Sequence, residues 1–456
     1  MKHFSITLLL SIAMLSSAMA QNPDLNGSWK GALEAGPYSL TIVFHIEQNG
    51  DNVSFSWDSP DQGGFGLPGT ATINGNELVV DMPNYMASYH GILKGDTLDG
   101  TFTQGGDTPL RMTRKDANDD GQSSRPQEAA IEADQNKPYR CEEVTFTNDG
   151  IIFSGTMTIP NVGTNFPAVV LVAGSGPHDR DENVFMHKPF LLLADALSRN
   201  GFIVLRYDER GVGATKGGNP FAPTEPLATD AMAALRYLKT RPEVNAAQVG
   251  IMGHSEGGMI AIMNAAKHPD EVAYIVSLAG TGVNGVELGK QQTRLLSKSM
   301  GIEVTDEDLA INDQALSIIA AEKDSVTLRN KLIEFYGSHP EAESSFNGQS
   351  IDDIIDGIFI TRCIIQYDPT DNLKLVKCPM LAINGTLDSQ VSCKENLEAI
   401  ARLVPHATVK AYEGLNHFFQ TCDDWLGSTR YDLFHETMNP QVLNDIVTWL
   451  QSTVKQ

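Results

Sequence analysis

The chain has 456 residues, more than one ordinary domain holds, and its composition, 41% hydrophobic and 20% charged, is that of a globular protein. Asp and Glu number 57 against 33 Lys and Arg, a net charge of −24. A surface so acidic repels nucleic acid and anionic lipid, which removes both from the expected partners and leaves solubility as the simplest role of the charge.

In chain order, Met1-Lys2-His3 is a short basic start, residues 4–15 are mostly apolar, and Ala18-Met19-Ala20 is a small-residue cleavage pattern. Residues 1–20 therefore read as a secretory signal peptide, too short for a membrane span, with no Cys at the cut to carry a lipid anchor. The mature protein is expected to be periplasmic or secreted. Five Cys follow, an odd number that leaves at least one thiol free. Cys393 and Cys422 each lie five residues after a candidate catalytic residue identified below, which makes them the pair to examine for a disulfide.

Residues 21–115 carry short runs with period-two alternation (40–46, 53–57, 77–80, 89–93 and 100–102), separated by Asn49-Gly50-Asp51, Asn74-Gly75-Asn76 and Lys94-Gly95-Asp96. Close-set strands with Gly/Asn turns predict a small antiparallel β domain, rolled or sandwiched, with a structural or lid role. Residues 116–140 are polar and poor in large apolar side chains, the composition of a linker.

From 141 to 456 the pattern changes. A hairpin turn at Asn148-Asp149-Gly150 joins two strands. Apolar strands at 168–173, 202–207, 248–252, 272–278, 380–384 and 408–412 then alternate with amphipathic helices at 190–200, 229–240, 259–267, 394–404 and 440–454. That predicts an α/β class, a doubly wound, mostly parallel sheet with helices on both faces. Between 284 and 376 the alternation stops and helical periodicity takes over (291–300, 306–321, 326–337, 351–367), as expected of a helical cap inserted over the strand C-terminal ends, where such sheets bind ligands.

The chemistry gathers around Gly253-His254-Ser255-Glu256-Gly257, between the strand at 248–252 and the helix that starts near 259. This is a strand–nucleophile–helix turn, in which the glycines leave room for a serine on a sharp bend. A serine nucleophile needs a base and a carboxylate to orient that base, and on this kind of sheet they follow in the order Ser, acid, His. Asp388, which follows the strand at 380–384 by the short loop Gly385-Thr386-Leu387, is the acid; Asp368 and Asp371 precede that strand and fall at its wrong edge. His417, just past the last strand in Glu413-Gly414-Leu415-Asn416-His417, is the base; His268, His339, His406 and His435 occupy exposed-looking settings. An oxyanion hole would use the backbone N–H groups of Glu256 and of Ser175, in Gly174-Ser175-Gly176-Pro177-His178. The charged run at 178–182 and Arg206-Tyr207-Asp208-Glu209-Arg210 are expected to pair and brace that loop. Glu256 could instead use its side chain to hold a substrate ammonium group.

These motifs, with Asp208-Glu209-Arg210-Gly211-Val212-Gly213 and Gly385-Thr386-Leu387-Asp388, resemble the α/β-hydrolase superfamily over residues 141–456. With Gly174 through Asp181, and with Asp58-Ser59-Pro60-Asp61-Gln62-Gly63 and 98–106 in the β domain, the layout is similar to bacterial carboxylesterases that carry an extra N-terminal β domain. The resemblance implies a Ser255, Asp388, His417 triad that works without metal or organic cofactor on a small-molecule ester. A short-chain acyl carboxylesterase acting through an acyl-enzyme is the first expectation. A serine peptidase of the prolyl-oligopeptidase or aminopeptidase kind is the second, and a carbohydrate- or ligand-binding protein the third.

Overall fold

The computed structural model describes residues 24–35, 38–49, 52–62, 64–114, 125–340 and 350–454. The signal-peptide reading of residues 1–20 lies outside them. The N-terminal unit is a nine-stranded antiparallel meander: β1 (Gly27–Ala35), β2 (Tyr38–Asn49), β3 (Asn52–Ser59), β4 (Gly64–Pro68), β5 (Thr70–Asn74), β6 (Glu77–Met82), β7 (Ala87–Lys94), β8 (Thr97–Thr103) and β9 (Asp107–Arg114). Its order, β4-β3-β2-β1-β9-β8-β7-β6-β5, brings first and last strands together at β1–β9 and lets β3 pack on β5, a barrel-like roll. Alternation is the cause. In β6, Leu78, Val80 and Met82 point inward while Val79 is 41% exposed. Trp29, Phe44 and Tyr89 fill the centre, the last two edge to face at 5.2 Å.

Residues 125–140, the described part of the segment 116–140 expected to be a linker, depart from that expectation. They hold the helix α1 (Pro126–Ala133) and the start of β10 (Tyr139–Asn148). Composition missed α1 because it docks through polar groups: its one buried residue is Glu128. The Glu128 carboxylate accepts from the Lys188 N–H and the Thr437 hydroxyl, while Arg125 donates to the carbonyls of Phe185 and Asp432.

The second unit continues with β11 (Ile151–Pro160), β12 (Phe166–Val172), α2 (Pro189–Arg199), β13 (Ile203–Tyr207), α3 (Thr224–Lys239), β14 (Val244–His254), α4 (Glu256–Lys267) and β15 (Ile275–Leu278). The cap helices α5 (Gly285–Met300), α6 (Asp306–Ala321), α7 (Ser325–Gly337) and α8 (Ile351–Ile365) follow. The chain ends with α9 (Thr370–Leu375), β16 (Met380–Gly385), α10 (Cys393–Leu403), β17 (Thr408–Tyr412) and α11 (Pro440–Val454). The sheet order is β10-β11-β13-β12-β14-β15-β16-β17, antiparallel through the β11–β13 pairing and parallel from there on. The inner strands β13, β15 and β16 are buried along their whole length, β12 after Phe166 and β14 from Val249 on, because α3, α4 and α10 cover one face and α2 and α11 the other. The cap has its own core, with Ile311, Ile319, Leu328, Leu332, Phe335 and Ile355 at its centre. Its helices start on side-chain caps: Thr305 and Ser350 each form a reciprocal capping box with the acid three residues on. The loop expected at 337–350 is described only at its ends, 337–340 and 350.

Candidate active site

The turn after β14 is where local sequence forces geometry. Ser255 adopts φ 52°, ψ −114°, a conformation costing about 1–3 kcal/mol for a non-glycine residue. Its N–H donates to the Leu278 carbonyl (2.8 Å), and its carbonyl accepts from Gly258 (3.0 Å), so neighbouring elements hold the strain in place. The flanking glycines are obligatory for a steric reason. A Cβ on Gly253 would lie 1.9 Å from the Gly257 carbonyl oxygen, and one on Gly257 would lie 2.1 Å from that of Val172. The bend makes Ser255 the N-cap of α4, whose N-terminal dipole favours negative charge there.

Asp388 and His417 come together from the loops after β16 and β17. His417 Nδ1 donates to Asp388 Oδ2 at 2.8 Å, with the two side chains 3% and 0% exposed. Asp388 Oδ1 accepts from the N–H groups of Gln390 (2.8 Å) and Val391 (2.9 Å), which fixes the carboxylate. Because a carboxylate only accepts, Nδ1 carries the proton and Nε2 is the basic nitrogen of the neutral ring. Asn416 shapes the turn that presents His417: its side-chain oxygen accepts from the N–H groups of Phe418 and Gln420. Ser255 and His417 line one cavity of about 840 Å³; Asp388 sits behind His417. The rivals lie elsewhere: Asp368 accepts from Thr370 N–H in the turn before α9, and the Asp371 side chain is 94% exposed.

Ser175 and Glu256 line the same cavity. The Gly174 N–H is already bonded to Glu182 Oε1 (2.7 Å), whereas the next N–H in the loop, that of Ser175, has no acceptor among the described residues. His178 braces the loop, its Nε2 donating to the Ser175 carbonyl and its N–H to Glu209 Oε2. The expected charge pairing is present behind it. Arg180 grips Asp208 bidentately (3.0 and 2.8 Å), Arg206 pairs with Asp181, and Arg210 with Asp230. Burial pushes the Glu209 carboxyl well above the usual range, and the carboxylates of Glu256 and Glu182 add to the rise. The Glu256 side chain is buried and accepts from the Thr224 hydroxyl.

One pair escaped the sequence reading. His254, the residue before Ser255, donates Nδ1–H to Glu182 Oε1 (2.9 Å) and Nε2–H to the His417 carbonyl (3.0 Å). Both partners are acceptors, so the ring is an imidazolium. Burial penalises that charge, but the Glu182 carboxylate and the two hydrogen bonds prevail and raise the His254 pKa. Glu182 thus ties together the Gly174–His178 loop, the turn at Ser255 and, through His254, the backbone of His417. The only signal for it was an acid-rich run 72 residues upstream, too distant in sequence to pair by inspection. All five Cys are free thiols, Cys393 and Cys422 included, so they form no disulfide.

Residues 187–305 match a family model described as serine aminopeptidase, S33. The chain is similar to an esterase, EstD, of Thermotoga maritima, 27% identical over 315 residues, 69% of this chain and 68% of that one. It is also similar to a non-heme chloroperoxidase of Streptomyces lividans, 28% identical over 279 residues, 58% of this chain and 92% of that one. Among solved structures, Est1E of Butyrivibrio proteoclasticus aligns at 16% identity and a TM-score of 0.43, covering 69% of this chain and 100% of that one. The strand order of the second sheet and the strained turn from β14 into α4 are those of an α/β hydrolase.

Proposed function

The chain has the α/β-hydrolase fold with an antiparallel β domain ahead of it, and on that premise we propose that it is a secreted or periplasmic serine carboxylesterase. Ser255 Oγ attacks the ester carbonyl and passes its proton to His417 Nε2, while Asp388 keeps the imidazole in the productive tautomer and steadies its positive charge. The N–H groups of Ser175 and Glu256 receive the oxyanion, each such donor contributing roughly 100- to 1000-fold in rate. His417 then protonates the departing alcohol. Water, deprotonated by the same nitrogen, cleaves the acyl-enzyme to release a carboxylic acid. No step calls for a cofactor.

The observation that carries this reading is the buried 2.8 Å Asp388–His417 bond beside a strained Ser255 in a shared cavity. The similarity to an esterase supports it. The peptidase alternative asks the Glu256 carboxylate to hold a substrate ammonium group, and that carboxylate is instead engaged by Thr224. The test is Ser255→Ala. Turnover of p-nitrophenyl acetate falls by about three orders of magnitude or more, and a fluorophosphonate probe that labels the wild type fails to label the variant. Wild-type-like turnover by Ser255→Ala refutes the mechanism. A wild type that takes up no probe favours a ligand-binding protein.

A further inference from the structure

We propose that the N-terminal β domain is one wall of the active site and selects uncharged esters bearing a bulky aromatic group, a refinement that rests on the esterase reading above. The cavity that holds Ser255 and His417 is lined not only by the catalytic unit and the cap but also by Trp57, Leu67, Tyr85 and Gln104 of the β domain. This wall is anchored. Trp57 meets Tyr85 edge to face at 5.3 Å, and Tyr85 meets Phe221 of the catalytic unit in the same way at 6.1 Å. Gln104 donates to the Tyr85 carbonyl at 2.9 Å, and the Phe185 N–H of the catalytic unit donates to the Asp61 carbonyl.

Size and charge then define the substrate. About 840 Å³ is the scale of cavities that enclose drug-sized ligands, far more than a short acyl ester fills. Aromatic rings from both units line it, Trp57 and Tyr85 on the β wall and Phe418 and Tyr431 near His417, and rings favour edge or offset contact with another ring. Among the described lining residues there is no Lys or Arg, while Asp61, Glu182 and Glu256 are acidic. The cation that the His254 imidazolium brings to this lining is already paired with Glu182, so a carboxylate or phosphate on the substrate would lose its hydration here without gaining a free counter-charge.

The experiment uses the full chain and three p-nitrophenyl esters with a common leaving group: the acetate, the phenylpropanoate and the ring-carboxylated phenylpropanoate. The wild type favours the phenylpropanoate over each of the others by about tenfold or more in kcat/KM, the scale of a pocket contact. Tyr85→Ala lowers the phenylpropanoate-to-acetate ratio about tenfold, chiefly through KM, and Tyr85→Phe retains it. Gln62→Lys, at an exposed position on the cavity rim, raises kcat/KM for the carboxylated ester about tenfold, and it tests the charge argument without touching the aromatic core. Turnover with these ratios unchanged within twofold in both Tyr85→Ala and Gln62→Lys overturns this proposal alone. Absence of turnover on all three esters overturns the esterase reading and this proposal with it.

Discussion

Replacing Glu182 with Ala probes the pair that couples three parts of the site. Its carboxylate is 2% exposed, the His254 ring 5%, and the one oxygen Oε1 serves both the Gly174 N–H and His254 Nδ1. Removing one partner of such a buried pair leaves the other charge without compensation, at a cost of about 3–5 kcal/mol. At roughly 2 °C per kcal/mol for a unit of this size, the melting temperature should fall by about 6–10 °C. Catalysis should fall too, because the loop that offers the Ser175 N–H loses its anchor. A partly misplaced oxyanion donor predicts a drop of about 100-fold in kcat with little change in KM.

The pH dependence carries a sign. The His254 pKa is raised above its ordinary 6.5, so the stability it contributes is complete below that pH and is lost as pH climbs through its folded value. Burial works against the Glu182 charge, but His254 prevails and lowers the carboxyl below its ordinary 4.5; its contribution is complete above that pH and is lost as pH falls through its folded value. The melting-temperature gap between wild type and Glu182→Gln, which keeps the acceptor oxygen but not the charge, is therefore widest from pH 4.5 to 6.5 and narrows on both sides. Thermal melts across pH, with steady-state kinetics on p-nitrophenyl acetate, check both claims. A Glu182→Ala protein melting within about 2 °C of wild type, with kcat within threefold, would refute the reasoning.

Two further outcomes follow from the site. Asp388→Asn retains an oxygen for the Gln390 and Val391 N–H groups but no longer holds the required His417 tautomer, so kcat on p-nitrophenyl acetate falls about 10⁴-fold while the melting temperature stays near wild type. In a thiol titration the exposed Cys141 reacts first in native protein, whereas burial pushes the thiols of Cys393 and Cys422 up to about 12 and delays them until unfolding. Denatured, unreduced protein should titrate all five thiols, and a smaller number would reveal a disulfide.

What the sequence made legible follows the reach of each signal. Periodicity located α6 at Asp306–Ala321 and α11 at Pro440–Val454, because long amphipathic helices repeat their pattern several times. Ser255, Asp388 and His417 were legible because each sits just past a strand, a local mark; the strand residues before Ser255 and Asp388 are buried, whereas β17, before His417, is a largely exposed edge strand. The strands β1, β4, β5 and β9 went unseen. β4 and β5 are five residues long and rich in Gly or Thr, and β9 turns only Leu110 and Met112 fully inward, with Pro109 interrupting its pattern. The helix α1 and the Glu182–His254 pair were hidden for a common reason. Both are held by hydrogen bonds between polar groups far apart in sequence, and neither periodicity nor composition records such partners.

The docking of α1 changes where the hydrolase unit begins. Arg125, Gln127 and Glu128 tie down two segments, 185–188 and 432–438, that flank the cavity residues Phe185 and Tyr431. A truncation at residue 141, at the end of the apparent linker, would therefore remove a clasp from the active-site rim along with the β domain. A fair comparison of the enzyme with and without that domain must start at or before Arg125.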